Sequence, residues 1–309
     1  MLHKSVLLDE CINNLNIKDS GIYVDATLGY AGHASEILKR IPNGYLYGID
    51  QDDYAIKCSD EKLSSIGSNY KIIKDNFVNM KSILKKYNVD RVDGILFDLG
   101  VSSVQLDDGS RGFSFHKDAK LDMRMDRSID FSAYNVVNEY SYKDLVRILR
   151  DYGEEKYASS IARNIVKYRD NKKIETTLEL SDIIKNSVPF KARRDSHPAR
   201  RSFQAIRIEV NHELDVLKNV LDDALSLLNV GGRLCIISFH SLEDKIVKSV
   251  FNKYATVDKS LNKLPYIPDD YKPKYKIISK GIVASSAEID DNYRAHSARL
   301  RVIERISDI

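Results

Sequence analysis

Short apolar runs of about strand length alternate with helix-length segments from Gly21 to Gly100. The runs "GIYVDAT", "YLYGID", "YKIIKD" and "VDGILFDLG" read as strands in a βαβ rhythm. Runs this apolar on both faces predict a parallel sheet covered by helices, with any ligand at the carboxyl ends of the strands. From 102 to 212 no convincing apolar strand occurs, while several helical patterns do, which predicts an inserted domain. In "SYKDLVRILRDYGEE", Ser141 and Asp144 have capping-box spacing, and Leu145, Ile148, Leu149 and Tyr152 form one apolar stripe. Thr176 and Glu179 repeat the box. Leu214, Leu217, Leu221, Ala224 and Leu228 mark a further amphipathic helix, "NVGG" predicts a turn, and "RLCIISF" a strand. The tail, "YKIISKGIVAS" and "HSARLRVIERI", suits an antiparallel pair at the sheet edge. The expected organisation is therefore an α/β domain made of 1–101 and 213–309, interrupted by a mainly helical domain over 102–212.

Composition narrows this picture. The 309 residues suffice for a sizeable core, and 48 lysines plus arginines against 45 acids leave a net charge of only +3. Any nucleic-acid surface must then be local. The first residues, "MLHKSVLLDECINNL", lack the apolar core of a signal peptide, and no run of 18 apolar residues occurs, so a cytoplasmic location without membrane contact is expected. Cys11, Cys58 and Cys235 are odd in number and widely spaced, as reduced thiols would be.

The stretch "VDATLGYAGHASEIL" runs from a strand through two glycines into a helix. It fails the dinucleotide pattern G-x-G-x-x-G, because Tyr30 and Ala31 separate Gly29 from Gly32 and Ala34 follows His33. Part of that logic survives: Gly29 suits a tight turn, Gly32 a close backbone approach to a ligand, and Asp50 closes the next strand where an acid can hold ribose hydroxyls. NAD and S-adenosylmethionine both carry such a ribose. Asp25, at the end of the first strand, would repel a pyrophosphate yet offset the ammonium and sulfonium charges of the methyl donor, which favours the latter. As a plain turn or cap residue Asp25 has equal standing.

Several stretches together resemble one family: "HKSVLLDE", "VDATLGYAGHASEIL", "GIDQD", "DGILFDLGVSSVQLDDGSRGFSF", "LDMRMD", "HPARRSFQAIRIEVN", "GGRLCIISFHSLEDKIVK" and "RAHSARLRVIER". The chain resembles the bacterial small-subunit (16S) ribosomal RNA methyltransferase H family, the cytosine-N4 methyltransferases, in order from His3 to Arg305. The resemblance implies a Rossmann-like class I S-adenosylmethionine-dependent fold with a helical insertion. It also implies methylation of a cytidine amino nitrogen near the decoding centre, on rRNA or an assembling small subunit; a homodimer stays open. Carried onto matching positions, the donor site falls on Ala31, Gly32, His33, Asp50, Phe77, Asp98 and Gln105. Ala31 and Ala34 stand where many members have glycine and serine.

In methyl transfer the amine attacks the activated methyl directly, so positioning and removal of water matter more than a covalent nucleophile. Asp98 is the candidate for orienting the amine, although Leu99, Gly100 and Val101 replace the Pro-Pro-aromatic run that many amino-group methyltransferases place there. Carbon-5 chemistry would need a cysteine thiolate, and none of the three is well placed. No metal site is expected, since Val216 stands where a histidine would complete H-E-x-x-H in "NHELD". Lys191, Arg193, Arg194, Arg200, Arg201 and Arg207, against the single acid Asp195, form the strongest local charge asymmetry. They suit phosphates, with His197 or Phe203 beside a displaced base, while a solvated face with structural ion pairs is the plain alternative. Phe113 and Phe115 suit either a lid or a core. His240, Ser241 and Glu243 follow a strand end and suit either the substrate side or a helix cap. A non-enzymatic RNA-binding factor and an NAD-dependent oxidoreductase are the competing functions.

Overall fold

The structure, a computed structural model, describes residues 4–101, 106, 108–193, 197–257, 260–261, 266, 268 and 271–308. The chain divides into two units, Met1–Gly100 with Leu214–Ile309, and Val101–Glu213.

The first unit begins α1 (Leu8–Asn14), β1 (Ile22–Asp25), α2 (Gly32–Leu38), β2 (Tyr45–Asp50), α3 (Asp53–Ser64), β3 (Tyr70–Lys74), α4 (Met80–Lys86) and β4 (Val92–Asp98). All four runs singled out as strands are strands. The second unit holds α5 (Ala133–Glu139), α6 (Tyr142–Asp151), α7 (Ala158–Arg169), α8 (Thr177–Ser187) and α9 (Ala199–Asn211). The chain then continues through α10 (Glu213–Ser226), β5 (Leu228–Ser238), α11 (Ser241–Ala255), β6 (Tyr275–Val283), α12 (Ser286–Asp291) and β7 (Arg299–Arg305).

Among the described residues seven strands form one sheet in the order β3-β2-β1-β4-β5-β7-β6. The first five are parallel, and β7 runs antiparallel between β5 and β6. This is a Rossmann-like α/β arrangement, as the resemblance implies. Alternation along each strand explains the layers. Val24, Ile95, Phe97, Leu234 and Ile236 enter one core with residues of α4, α10 and α11. Tyr23, Leu96, Cys235 and Ile237 enter the other with residues of α1 and α2. Each such fully buried aliphatic side chain contributes about 1.5–3 kcal/mol. Neighbouring strands β1 and β4 pair Asp25 with Leu96, so Asp25, Leu96 and Asp98 share the α1 and α2 face.

Two expectations change here. "NVGG" is not a separate turn: β5 already begins at Leu228, and its register with β4 shifts between Val92 and Gly94. Gly231 there takes φ +81°, a conformation few other residues adopt cheaply. Leu228 accordingly belongs to the strand, whereas Leu214, Leu217, Leu221 and Ala224 are buried on α10.

The second unit is helical, with one isolated bridge between Lys120 and Thr176 among the described residues. Leu145, Ile148 and Leu149 are buried in its core with Phe113, Ile161, Ile184 and Phe203, while Tyr152 stays half-buried. The Thr176 and Glu179 capping box is complete. At Ser141 only half forms: Ser141 Oγ accepts from the Asp144 N–H (3.2 Å) and donates to its carboxylate (2.6 Å).

Candidate active site

The loop after β1 is tied to both neighbouring strands. The Ala26 N–H donates to Leu96 O (2.9 Å) and the Leu28 N–H to Ile49 O (3.0 Å). Thr27, a residue that sequence inspection passed over, accepts the Asp98 N–H on its Oγ1 at 2.6 Å. Its own N–H donates to Asp25 Oδ1 at 3.2 Å, the Asx turn that the plain alternative anticipated. Gly29 and Ala31 are both left-handed, at φ +50° and +51°. A Cβ in that region costs about 1–2 kcal/mol, so Ala31 stores strain that a glycine there would not. Gly32 opens α2, but the space a side chain would need is filled by Ser5: a Cβ there would lie 1.7 Å from Ser5 Oγ. The close approach expected of Gly32 is therefore to the chain's own N-terminal segment.

Asp50 ends β2 and receives the Gly29 N–H on Oδ2 (2.7 Å) and the Asp52 N–H on Oδ1 (2.9 Å). A carboxylate offers about four acceptor sites, so ribose hydroxyls can still be accommodated. Burial raises its pKa, against the pull of those N–H donors. Ser59 Oγ donates to Gly29 O (2.6 Å) and fixes the turn from α3. After β3, Asn76 accepts the Val78 N–H (2.9 Å) and starts the short turn that carries Phe77. The Phe77 ring stands edge-on to Phe97, centroids 5.2 Å apart, and is only partly buried. A flat ring partner such as adenine can lie beside it.

Asp25 and Asp98 are the unusual charges. Asp25 is 2% exposed, and burial pushes its pKa up to about 7; the Thr27 and Ala34 N–H groups lower it while Asp50 raises it. Asp98 is pushed to about 8 by burial, then by Asp25 and Glu243. Its buried Oδ1 has no hydrogen-bond partner among the described residues. His33 Nδ1 stands 3.9 Å from Asp98 Oδ2. The other ring nitrogen, Nε2, lies 3.1 Å from Val6 O and must carry the hydrogen that this acceptor requires. An orphaned acceptor, an acid at the end of each of two adjacent strands, Asp25 buried and Asp98 partly so, and a ribose-type acid one strand away fit a cationic nucleoside.

Ala31, Gly32, His33, Asp50, Phe77 and Asp98 thus gather at the carboxyl ends of β1 to β4 or in the loops that follow. Gln105 lies outside the described residues. At the end of β5, His240 is the N-cap of α11, Ser241 its first residue, and Glu243 Oε2 accepts the Phe239 and His240 N–H groups (2.8 and 3.3 Å). The cap alternative holds for this trio, although His240 Nδ1 stays buried without a hydrogen-bond partner among the described residues.

In the second unit the basic cluster is not uniform. Arg207 makes a two-pronged pair with Glu213 (2.8 and 2.8 Å), a structural contact. Arg193 donates to Val188 O through Nε and Nη2 (3.2 and 3.1 Å), and Arg201 to Glu154 O (3.0 Å). Arg200 and Lys191 are exposed, and Arg194 lies outside the described residues. Phe113 and Phe203 are core residues rather than a lid or a base platform. Phe115 stacks on His197, centroids 4.5 Å apart, with its edge towards Phe203. The charge run could be seen in the sequence; its division into paired and exposed members depends on Glu213 and on backbone carbonyls that no charge count contains.

A family model described as the MraW methylase family matches residues 1–306. The chain is 51% identical over 308 residues to the ribosomal RNA small subunit methyltransferase H of Exiguobacterium sibiricum, covering 99% of each. It is 53% identical over 309 residues to the protein of that name from Ruminiclostridium cellulolyticum, covering 98% of this chain and 99% of that one. With the Clostridioides difficile protein of that name it shares 52% over 307 residues, covering 98% and 99%.

Proposed function

We propose, on the premise that this chain belongs to the MraW methylase family, that it methylates the N4 amino group of a cytidine in small-subunit rRNA near the decoding centre. It is an S-adenosylmethionine-dependent methyltransferase, and the oxidoreductase and non-enzymatic alternatives fall with that membership. The rRNA substrate follows the names of its relatives; the cytidine nitrogen and its position follow the family resemblance. No helix among the described residues is long and apolar enough to cross a membrane, and the reading places the enzyme in the bacterial cytoplasm, on rRNA or an assembling subunit.

The observation that carries the reading is the acid-rich end of the sheet, where Asp25, Asp50 and Asp98 meet no lysine or arginine in an ion pair among the described residues. S-adenosylmethionine, when bound, supplies a methyl group activated on a sulfonium sulfur. Asp50 takes the ribose hydroxyls, Phe77 lies beside the adenine, and the turn through Ala31, Gly32 and His33 closes round the donor. The Oδ1 of Asp98, without a hydrogen-bond partner among the described residues, accepts a hydrogen of the cytosine amine and aims its nitrogen at the methyl. A base that starts stacked must be turned out first. The helical unit supplies RNA contacts through Arg200 and Arg201, which are exposed, with Arg193 as a further candidate; His240 and Ser241, in the sheet unit, are substrate-side candidates.

Mass spectrometry of rRNA from cells with and without the gene tests this reading. Loss of one N4-methylated cytidine from the small-subunit rRNA is expected; an unchanged methylation pattern overturns it.

A further inference from the structure

The inference rests on the donor site just described and concerns which form of the cofactor that site prefers. Asp25 and Asp98 lie on one face of adjacent parallel strands, each at or near the strand's last residue. Neither pairs with a lysine or arginine among the described residues. The titratable groups around them are Asp50 from β2, Glu243 from α11, the Cys11 thiol from α1 and His33 from α2. Asp25 has the Thr27 N–H at 3.2 Å, whereas Asp98 Oδ1 has no hydrogen-bond partner among the described residues. Two carboxylates in this setting, Asp25 buried and Asp98 with its Oδ1 shut off from solvent, do not both ionise readily, because the second charge is poorly solvated beside the first.

We propose that Asp25 and Asp98 form a charge-selective pair that holds a proton in the free protein and gives it up when the sulfonium form of the cofactor binds, so that the methyl donor is increasingly favoured over its demethylated product as pH rises. The methyl donor carries one positive charge more than that product. On transfer, the carbon–sulfur bond breaks, its electron pair stays on sulfur as a neutral thioether, and the new bond forms to the amine nitrogen, which loses a proton. The charge that kept both acids ionised has then gone from the sulfur. The pair takes a proton back, and the product loses its electrostatic hold. The same ionisation makes Asp98 a stronger acceptor for the amine while the donor is present.

Isothermal titration calorimetry of the full chain with S-adenosylmethionine and with S-adenosylhomocysteine tests this directly. Titrations in buffers of differing ionisation enthalpy count the protons released. Near neutral pH the donor is expected to release about one proton more than the product, so the ratio of the two affinities shifts about tenfold per pH unit in the donor's favour. The shift should level off in alkaline solution, once both acids are ionised. Asp25→Asn and Asp98→Asn should each remove most of the slope, since one acid alone has no neighbour to share with. His33→Asn should keep it. Equal proton release for the two ligands in the wild type overturns the pair, as does a slope lost in His33→Asn but kept in both aspartate variants. A folded wild-type protein that binds neither ligand would instead overturn the proposed function. The wild-type proton count needs no variant, so a substitution that fails to fold leaves the test intact.

Discussion

At the scale of single residues, the acids of the site bind protons more tightly in the folded chain than an ordinary aspartate, which titrates near 4. With Asp25 raised to about 7 and Asp98 to about 8, the native state holds more protons than the unfolded one between about pH 4 and pH 8. Stability from these groups is therefore full below that window and is lost as pH rises through it. Thermal unfolding of the ligand-free protein should show a melting temperature that falls from pH 5 to pH 9. Asp98→Asn, which resembles the protonated acid, should gain on the wild type as pH rises; parallel curves would rule this out. Asp50→Ala removes acceptors for Gly29 and Asp52 as well as for ribose. It should weaken donor binding by about tenfold or more while the protein stays folded, as calorimetry and circular dichroism would report. The sequence placed both acids correctly, because each ends a recognisable apolar run. It could not show that Asp25 is buried, nor that Ser5 fills the space beside Gly32, since both depend on distant segments folding back.

At the scale of elements, strand identity was legible because both faces of each central strand are apolar, and helix starts were legible where a side chain caps its own first turn. Thr176→Ala should therefore destabilise the protein by about 1 kcal/mol in chemical denaturation. Leu149→Ala, in the buried stripe of α6, should cost about 2–5 kcal/mol. The misplaced boundary at "NVGG" has a simple cause: glycines that usually end an element here let one strand bulge. On α9 the cations separate by what they touch. Replacing Arg200 and Arg201 with alanine should weaken RNA binding and flatten its salt dependence by about 0.7 in log-log slope for each phosphate no longer neutralised. Arg207→Ala strands Glu213 and should cost about 3 kcal/mol of stability with the salt slope intact. A filter-binding series over salt concentration, beside a denaturation curve, separates the two outcomes.

At the scale of the whole molecule, the two-sided core predicts unequal thiols. Cys11 and Cys235 are fully buried and Cys58 is partly exposed. Burial raises the Cys11 thiol well above its ordinary value and pushes Cys235 to about 12. A maleimide reagent should modify Cys58 in the native protein and the other two only on unfolding; rapid native labelling of Cys235 would contradict the strand assignment. The sheet also has an order of construction. Its last strand in the chain, β7, is not at the edge but lies between β5 and β6. During synthesis β6 leaves the ribosome before the strand it must pair with exists, and β5 waits with one side open. The nascent sheet cannot close until β7 has emerged, so a message cut before the codons of Arg299–Arg305 would leave β5 and β6 without the strand that joins them, a chain suited to proteolysis or aggregation rather than a slightly impaired catalyst.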